Sequence, residues 1–317
     1  MILSTTSSGE QRQSLNRSGL FHLFIVYVVW GSTYLAIRVG VREGSGFTPF
    51  MLGAMRSLTA GVILLALAWI GKQRLRLKAS EYLALTGSGL LLWWGGNGLV
   101  MLAEVRADSG ITALIISGVP IWVMIMEAVL DRRRPSLLAA ASLLIGLAGI
   151  ALLSLPLLRS GIRADVLSVV LLLSASICWS LGSMLQSRSR LRLTPTVTSA
   201  YQLLAGGIGF ALTALVLREP LPHPIPEAWL AWGYLVVFGS LIAFTSYIQA
   251  IDLLPMRIVA TYSYVNPIIA VALGWAILGE RITVYTLLGA ALVLLGVTGV
   301  FRVRGRETAT QSVKSDR

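Results

Sequence analysis

Charge is scarce in this sequence: only 13% of its 317 residues are Asp, Glu, Lys or Arg, about half the share typical of a water-soluble domain. Cysteine and histidine are scarcer still. Cys178 stands alone inside an apolar run, and His22 and His223 lie far apart. A lone cysteine excludes a disulfide framework, and this spacing offers neither a metal-ligand cluster nor a histidine placed as a catalytic base. H-E-x-x-H, G-x-S-x-G at the end of an apolar run and paired aspartates within one are also missing, so an intramembrane enzyme lacks its chemistry. No cofactor is expected. The opening MILSTTSSGEQRQSLNRSG is polar and has no small-residue cleavage site, so a removable signal peptide is not indicated. The connectors between apolar runs, such as GVREGSGFT and REPLPHPIPE, are short and rich in turn formers, which leaves no room for a soluble domain.

What is abundant is apolar length. Hydrophobic residues make up 56% of the chain and the mean hydropathy is +0.78, and run after run of eighteen or more uncharged residues points to an integral membrane protein. Ten stretches are long enough to cross about 30 Å of hydrocarbon: 20–39, 49–70, 82–102, 111–130, 137–156, 166–185, 195–217, 230–251, 258–278 and 284–301. The expected fold is therefore all-α, with ten transmembrane helices. Polar tails flank it, 1–19 before and 303–317 after.

The net charge of +12 sits in short clusters between the runs, without the aromatic interleaving of a nucleic-acid surface, so no nucleic-acid partner is expected. The clusters report orientation instead. One alternate set of connectors and tails holds 18 basic residues: Arg12, Arg17; Lys72, Arg74, Arg76, Lys78; Arg132 to Arg134; Arg188, Arg190, Arg192; Arg257; Arg302, Arg304, Arg306, Lys314 and Arg317. The other set holds 6: Arg42, Arg106, Arg159, Arg163, Arg218 and Arg281. Cytoplasmic loops retain positive charge, which places both termini of a multi-pass protein in the cytoplasm. The bilayer is one expected partner and a small-molecule substrate the other; oligomeric state is left open.

The chain also repeats itself. Pro49 and Pro195 open matched spans, followed by Ala54 with Ala200, Leu58 with Leu204 and Gly61 with Gly207, all at an offset of 146. Trp30 matches Trp179, Ala103, Ala113 and Pro120 match Ala250, Ala260 and Pro267, and Gly146 and Gly149 match Gly296 and Gly299, at offsets of 147 to 150. Two homologous halves of five spans, 20–156 and 157–302, follow. Five is odd, so the second half enters the membrane from the side opposite to the first. Such inverted repeats place a substrate site near mid-bilayer, where the halves meet and helices are interrupted. Pro120 and Pro267 each lie nine residues into a span, roughly 14 Å deep at about 1.5 Å per residue. Both are expected to break their helices beside one central cavity.

Several stretches carry a resemblance: WGSTYLAIRVG from Trp30, FMLGAMRSLTAGVILL from Phe50, GNGLVMLAE from Gly96, GYLVVFGSLIAFTSYIQAI from Gly233 and ATYSYVNPIIAVALGWAILGE from Ala260. Together they resemble the EamA-type transporters of the drug/metabolite transporter superfamily, over roughly residues 20 to 302. The resemblance implies ten helices in two inverted five-helix repeats, and export of small metabolites or drugs across the bacterial inner membrane. It leaves the substrate open. The loop DRRRPS departs from the Gly-Glu ending of the family's span, which only Glu280 retains.

Aromatic and amide side chains at cavity depth supply apolar surface with an oriented polar group. Those expected to line the cavity are Trp30, Tyr34, Trp94, Asn97, Trp179, Tyr247, Tyr264 and Asn266. Asn97 and Asn266 face the bundle interior because an amide in lipid is costly, and interhelical hydrogen bonding is their competing role. For Tyr34 and Trp93 the competing role is a membrane-interface belt. Among the charged groups, Arg56 either binds an anionic group or pairs with Glu104, and the ion pair is the favoured expectation. Arg38, Arg106 and Asp252 sit near span ends, where snorkelling accounts for them, and Glu127 pairs with the Arg132 to Arg134 cluster. Protons are a candidate coupling ion through Glu104, Glu127 or Asp252. Gly53, Ser57 and Gly61, Ser142 with Gly146, and Ala205 with Gly209 form small-residue stripes for helix packing. The reading is a secondary transporter for small organic solutes, amphipathic, aromatic or amino-acid-like; a passive facilitator or channel is the alternative, and an intramembrane enzyme a more distant one.

Overall fold

The computed structural model describes residues 16–107, 109–132, 135–153, 155, 166–189, 191–278 and 283–315. The expectations for Glu280, Arg133 and Arg134 fall outside them. Every regular element among the described residues is helical: α1 (Arg17–Val41), α2 (Pro49–Ile70), α3 (Ala79–Gly89), α4 (Gly98–Glu104), α5 (Ser109–Ile116), α6 (Val119–Leu130), α7 (Leu137–Leu153), α8 (Val166–Ser189), α9 (Pro195–Val216), α10 (Pro226–Tyr234), α11 (Ala243–Leu253), α12 (Met256–Val259), α13 (Tyr262–Leu278) and α14 (Val284–Ser315). Seven helical stretches are long and apolar enough to cross a membrane, and Leu137–Leu152 is a shorter apolar one.

Two of the helical rods change pitch midway. Leu90–Asn97 joins α3 to α4, and Leu235–Ile242 joins α10 to α11, each as eight residues of π-helix. A π turn widens the helix and rotates every later side chain relative to an α-helical reading. Gly95 with Gly96 in the first segment, and Gly239 with Ser240 in the second, keep side-chain bulk low there.

Local chemistry fixes the ends of α2 and α9 alike. Each opens with a Thr-Pro pair, Thr48-Pro49 and Thr194-Pro195, where proline's missing N–H leaves no bond unmade. Each closes through a left-handed residue that is not glycine, Lys72 (φ 50°) and Arg218 (φ 53°). The following amide then turns back onto the helix, Gln73 N to Ala68 O and Glu219 N to Ala214 O, both at 2.9 Å.

α2 and α9 lie antiparallel, with Gly53 and Gly61 of α2 and Gly207 of α9 at the contact, while Gly209 of the expected Ala205–Gly209 stripe faces Leu90 and Trp94 instead. A Cβ on Gly61 would stand 2.8 Å from the Leu204 side chain, and one on Gly207 would stand 2.7 Å from that of Leu58. These are the same two matched positions, exchanged. The α7–α14 pair repeats the arrangement: a Cβ on Gly149 meets Leu292 Cβ at 2.9 Å, while one on Gly299 meets Ser142 Cβ at 2.8 Å. Gly146 and Gly296 approach until a Cβ on the latter would sit 2.6 Å from the former's backbone nitrogen. Without such glycines these backbones cannot come so close.

The prolines do different things. The backbone is interrupted at Ser117-Gly118, between α5 and α6, and Pro120 occupies the first turn of α6, where it is tolerated. Pro267 instead sits inside α13, and the interruption in this part of the chain falls earlier, at Ala260-Thr261 between α12 and α13. The expected pair of equivalent proline breaks is therefore corrected: the interruptions exist, but only the first has its proline at the start of the resumed helix.

Candidate functional site

α1 presents Trp30, Thr33, Tyr34 and Ile37 on one face, the spacing that aligns side chains on a helix. They form one wall of an internal cavity of about 60 Å³, room for a few waters. The first π segment and α4 bring Trp93, Gly96, Asn97 and Val100 to the opposite side, and α8 adds Ala175 and Trp179. Ile116 and Tyr262, each flanking a helix interruption, complete the lining with Arg56 of α2.

The matched tryptophans meet here. Trp30 and Trp179 stand edge to face with centroids 5.4 Å apart, and Trp30 also packs against Tyr262 at 5.0 Å and Tyr247 at 4.9 Å. The Trp30 indole N–H donates to the Gly239 carbonyl at 3.1 Å, tying α1 to the second π segment. Trp179 donates to the Tyr247 hydroxyl at 3.1 Å, which lies 2.6 Å from the Ser183 hydroxyl. Edge-to-face aromatic pairs add about 0.5–1.5 kcal/mol each beyond their buried area, so this wall is stiff.

Arg56 is the cavity's cation. It is 2% exposed, and its guanidinium lies 4.9 Å from the Trp93 ring centroid. Nε donates to Ser240 Oγ at 2.9 Å, and Nη1 reaches Asn97 Oδ1 only at 3.5 Å. The expected ion pair with Glu104 is corrected: among the described residues no carboxylate meets Arg56. Glu104 is fully buried elsewhere, faced by the Arg38 charge and the Thr112 hydroxyl. Removing an ion from water without a counter-ion costs several kcal/mol, and among the described residues the Trp93 face, Ser240 and the long Asn97 contact offset that.

Of the aromatic and amide residues expected at the cavity, Trp30, Tyr34, Asn97 and Trp179 are brought to its wall. Tyr247 is buried directly behind that wall. Trp94 is not there: it is 45% exposed on the outer surface, donating to Thr213 Oγ1 at 2.8 Å. Tyr264 packs instead against α7 and donates to the Leu143 carbonyl at 3.0 Å. Asn266 turns its amide nitrogen to the Tyr262 carbonyl of its own helix at 2.9 Å and across to the Tyr27 carbonyl of α1 at 3.2 Å, so the second bond is interhelical. Neither Pro120 nor Pro267 is in the lining. Trp93 is the residue that sequence reasoning set aside for an interface belt; it is 1% exposed and lines the cavity. Glu127 lies 3.9 Å from Arg257.

Loops tie α2 to α9 at both ends of that pair. At one end the Thr48 hydroxyl and the Met51 N–H donate to Glu219 Oε2 at 2.5 and 3.0 Å, while His223 N–H donates to the Gly46 carbonyl at 3.0 Å. Gly46 has φ +85°, and a Cβ there would fall 2.1 Å from the His223 oxygen. At the other end the Thr194 hydroxyl donates to Gln73 Oε1. Arg74 grips Glu81 through two contacts of 2.6 and 3.0 Å and points Nη2 at the Arg192 carbonyl 3.4 Å away, while Arg188 pairs with Asp131 at 2.9 Å. Hydrogen bonds from Arg74 and from the Lys78 backbone hold the Glu81 carboxyl down to about 2.

Comparison with known proteins agrees with this architecture. The EamA-like transporter family matches the chain twice, over residues 17–155 and 166–302. The uncharacterized inner membrane transporter YedA of Escherichia coli (strain K12) is 34% identical over 278 residues, covering 87% of this chain and 88% of that protein. An uncharacterized transporter of Synechocystis sp. is 25% identical over 312 residues, covering 89% of this chain and 88% of its own. A crystal structure of a protein with 22% sequence identity superposes with a TM-score of 0.74, covering 92% of this chain and 98% of that one, which establishes the shared fold. The chain belongs to the EamA-like transporter family and is a multi-pass membrane protein.

Proposed function

We propose that this protein is a secondary transporter of the bacterial inner membrane that exports small organic solutes by alternating access through the Trp30–Trp179 cavity. Metabolites, drugs, and amphipathic, aromatic or amino-acid-like compounds are the proposed classes. One observation carries the reading: matched residues of the two halves contact one another reciprocally. Leu58 and Gly61 meet Gly207 and Leu204 in exchange, as Ser142 and Gly149 meet Gly299 and Leu292. Exchanged contacts are the mark of a two-fold relation, and antiparallel packing of matched helices is what inversion requires. The double match to the family supports the same division into 20–156 and 157–302.

On this reading ten spans form two inverted five-helix halves, with both termini cytoplasmic. The Thr48–Glu219 closure then lies on the outer face and the Thr194–Gln73 closure on the inner face. A cavity of about 60 Å³ is below the 300–1,000 Å³ of a typical ligand pocket, so a solute enters only when one closure opens. Protons are the proposed coupling ion, with Glu104 as the group that carries them.

The test is counterflow in proteoliposomes combined with labelling of single cysteines in a Cys178→Ser background. Accumulation of at least one small organic solute, and labelling of positions 76 and 191 from the same side of the membrane, are expected. Labelling of the two from opposite sides removes the inverted architecture. Strict exchange of one proton per solute separates coupled transport from a passive facilitator, and Glu104→Gln is expected to abolish pH-gradient-driven flux while sparing counterflow.

A further inference from the structure

Arg56 offers more hydrogen-bond donors than the protein uses. A guanidinium carries five N–H groups in a planar fork. Ser240 takes Nε, Asn97 sits at the limit of hydrogen bonding to Nη1, and no protein acceptor meets Nη2 among the described residues. Gly239 packs closely against Nη2, and a Cβ there would stand 3.0 Å from it. Among the described residues no acidic side chain belongs to the cavity wall, and the remaining surface is largely the rings of Trp30, Tyr34, Trp93, Trp179 and Tyr262.

We propose that the cavity selects aromatic monocarboxylate anions, with the carboxylate held by the free edge of Arg56 and the ring against the aromatic wall; this rests on the transporter reading of the same cavity. The fork of an arginine matches a carboxylate through two parallel N–H···O bonds, and Ser240 with Trp93 fixes the plane in which that fork lies. The solute supplies the counter-ion that the protein withholds. A zwitterion finds no carboxylate here for its ammonium group, and the indole and phenol faces attract that group without fully replacing the water it sheds on burial. Phosphate satisfies the fork but leaves the aromatic surface uncovered.

Calorimetric titration of the full-length protein in detergent with phenylacetate, neutral phenylacetamide, zwitterionic phenylalanine and inorganic phosphate tests the assignment. Phenylacetate is expected to bind at least about ten-fold more tightly than phenylacetamide, the effect of one charged hydrogen-bonded pair, and more tightly than phenylalanine or phosphate. Arg56→Gln is expected to bring phenylacetate and phenylacetamide within about two-fold of each other, with Arg56→Lys between. Equal binding of the two by the unmodified protein overturns the proposal, as do tighter binding of phenylalanine or phosphate, a preference that survives Arg56→Gln, or no binding of any probe. The comparison within the unmodified protein holds even where Arg56→Gln fails to fold. Counterflow separates the two readings: flux without preference for the anion sinks this inference and keeps the transporter, whereas an Arg56-dependent preference without flux does the reverse.

Discussion

Trp30 is fixed at both ends, by its N–H on the Gly239 carbonyl and by three aromatic neighbours. Trp30→Phe keeps most of the ring contact and loses the hydrogen bond, so a stability loss of about 1 kcal/mol is expected, together with slower counterflow. Thermal unfolding in detergent and vesicle flux check the two effects. Glu81 makes a pH-dependent prediction outside the spans. Its carboxyl is held from an ordinary value of 4.5 down to about 2, first by Arg74 and then by the Lys78 backbone. A depressed carboxyl adds stability above its ordinary value and loses it as pH falls toward the lowered one. Acidification from about pH 5 toward 2 should therefore lower the melting temperature of the unmodified protein more than that of Glu81→Gln; parallel curves would deny the contact its role. Trp93 and Trp94 mark where residue-level reading failed. It took Trp94 for the cavity and Trp93 for the interface, and the π turn that contains both presents them the other way round.

Helix positions were largely legible. The expected spans 49–70 and 195–217 match α2 and α9 within a residue, because Thr-Pro openings and long apolar runs are local signals. The break before Pro120 was legible from that proline, although it falls at Ser117-Gly118, but the two π segments were not, since they follow neither from composition nor from a 3.6-residue period. The repeat was legible as aligned glycines, yet what those glycines touch depends on partners some 150 residues away. That difference in surroundings can be measured. Gly296→Ala forces a Cβ to 2.6 Å from the Gly146 backbone, which no side-chain rotation relieves, whereas nothing lies within 4 Å of a Cβ on Gly233. The first should cost about 1–3 kcal/mol and lower the yield of folded protein. The second should be neutral or slightly stabilising. Equal melting temperatures would show that α7 and α14 do not pack this closely. Deleting one residue from Leu235–Ile242 restores an α-helical pitch, turns Ser240 away from Arg56, and is expected to remove the anion preference without removing the helix.

At the scale of the whole molecule, alternating access as proposed makes the two loop contacts between α2 and α9 its gates. In the proposed orientation Thr48→Val loosens the outer closure and Thr194→Val the inner one. With Ala175→Cys as reporter in a Cys178→Ser background, each variant should raise labelling from its own side by about five-fold, the effect of one lost hydrogen bond of about 1 kcal/mol. The same increase from both sides in either variant would mean that the closures do not act as separate gates. These closures are copies of one another: Thr48 corresponds to Thr194 and Glu219 to Gln73, at the same offset of 146. The copies no longer match in chemistry. One latch ends in a carboxylate and the other in a neutral amide, so only the first holds a formal charge within its hydrogen bond, and two related halves present unlike chemistry at the two ends of α2 and α9.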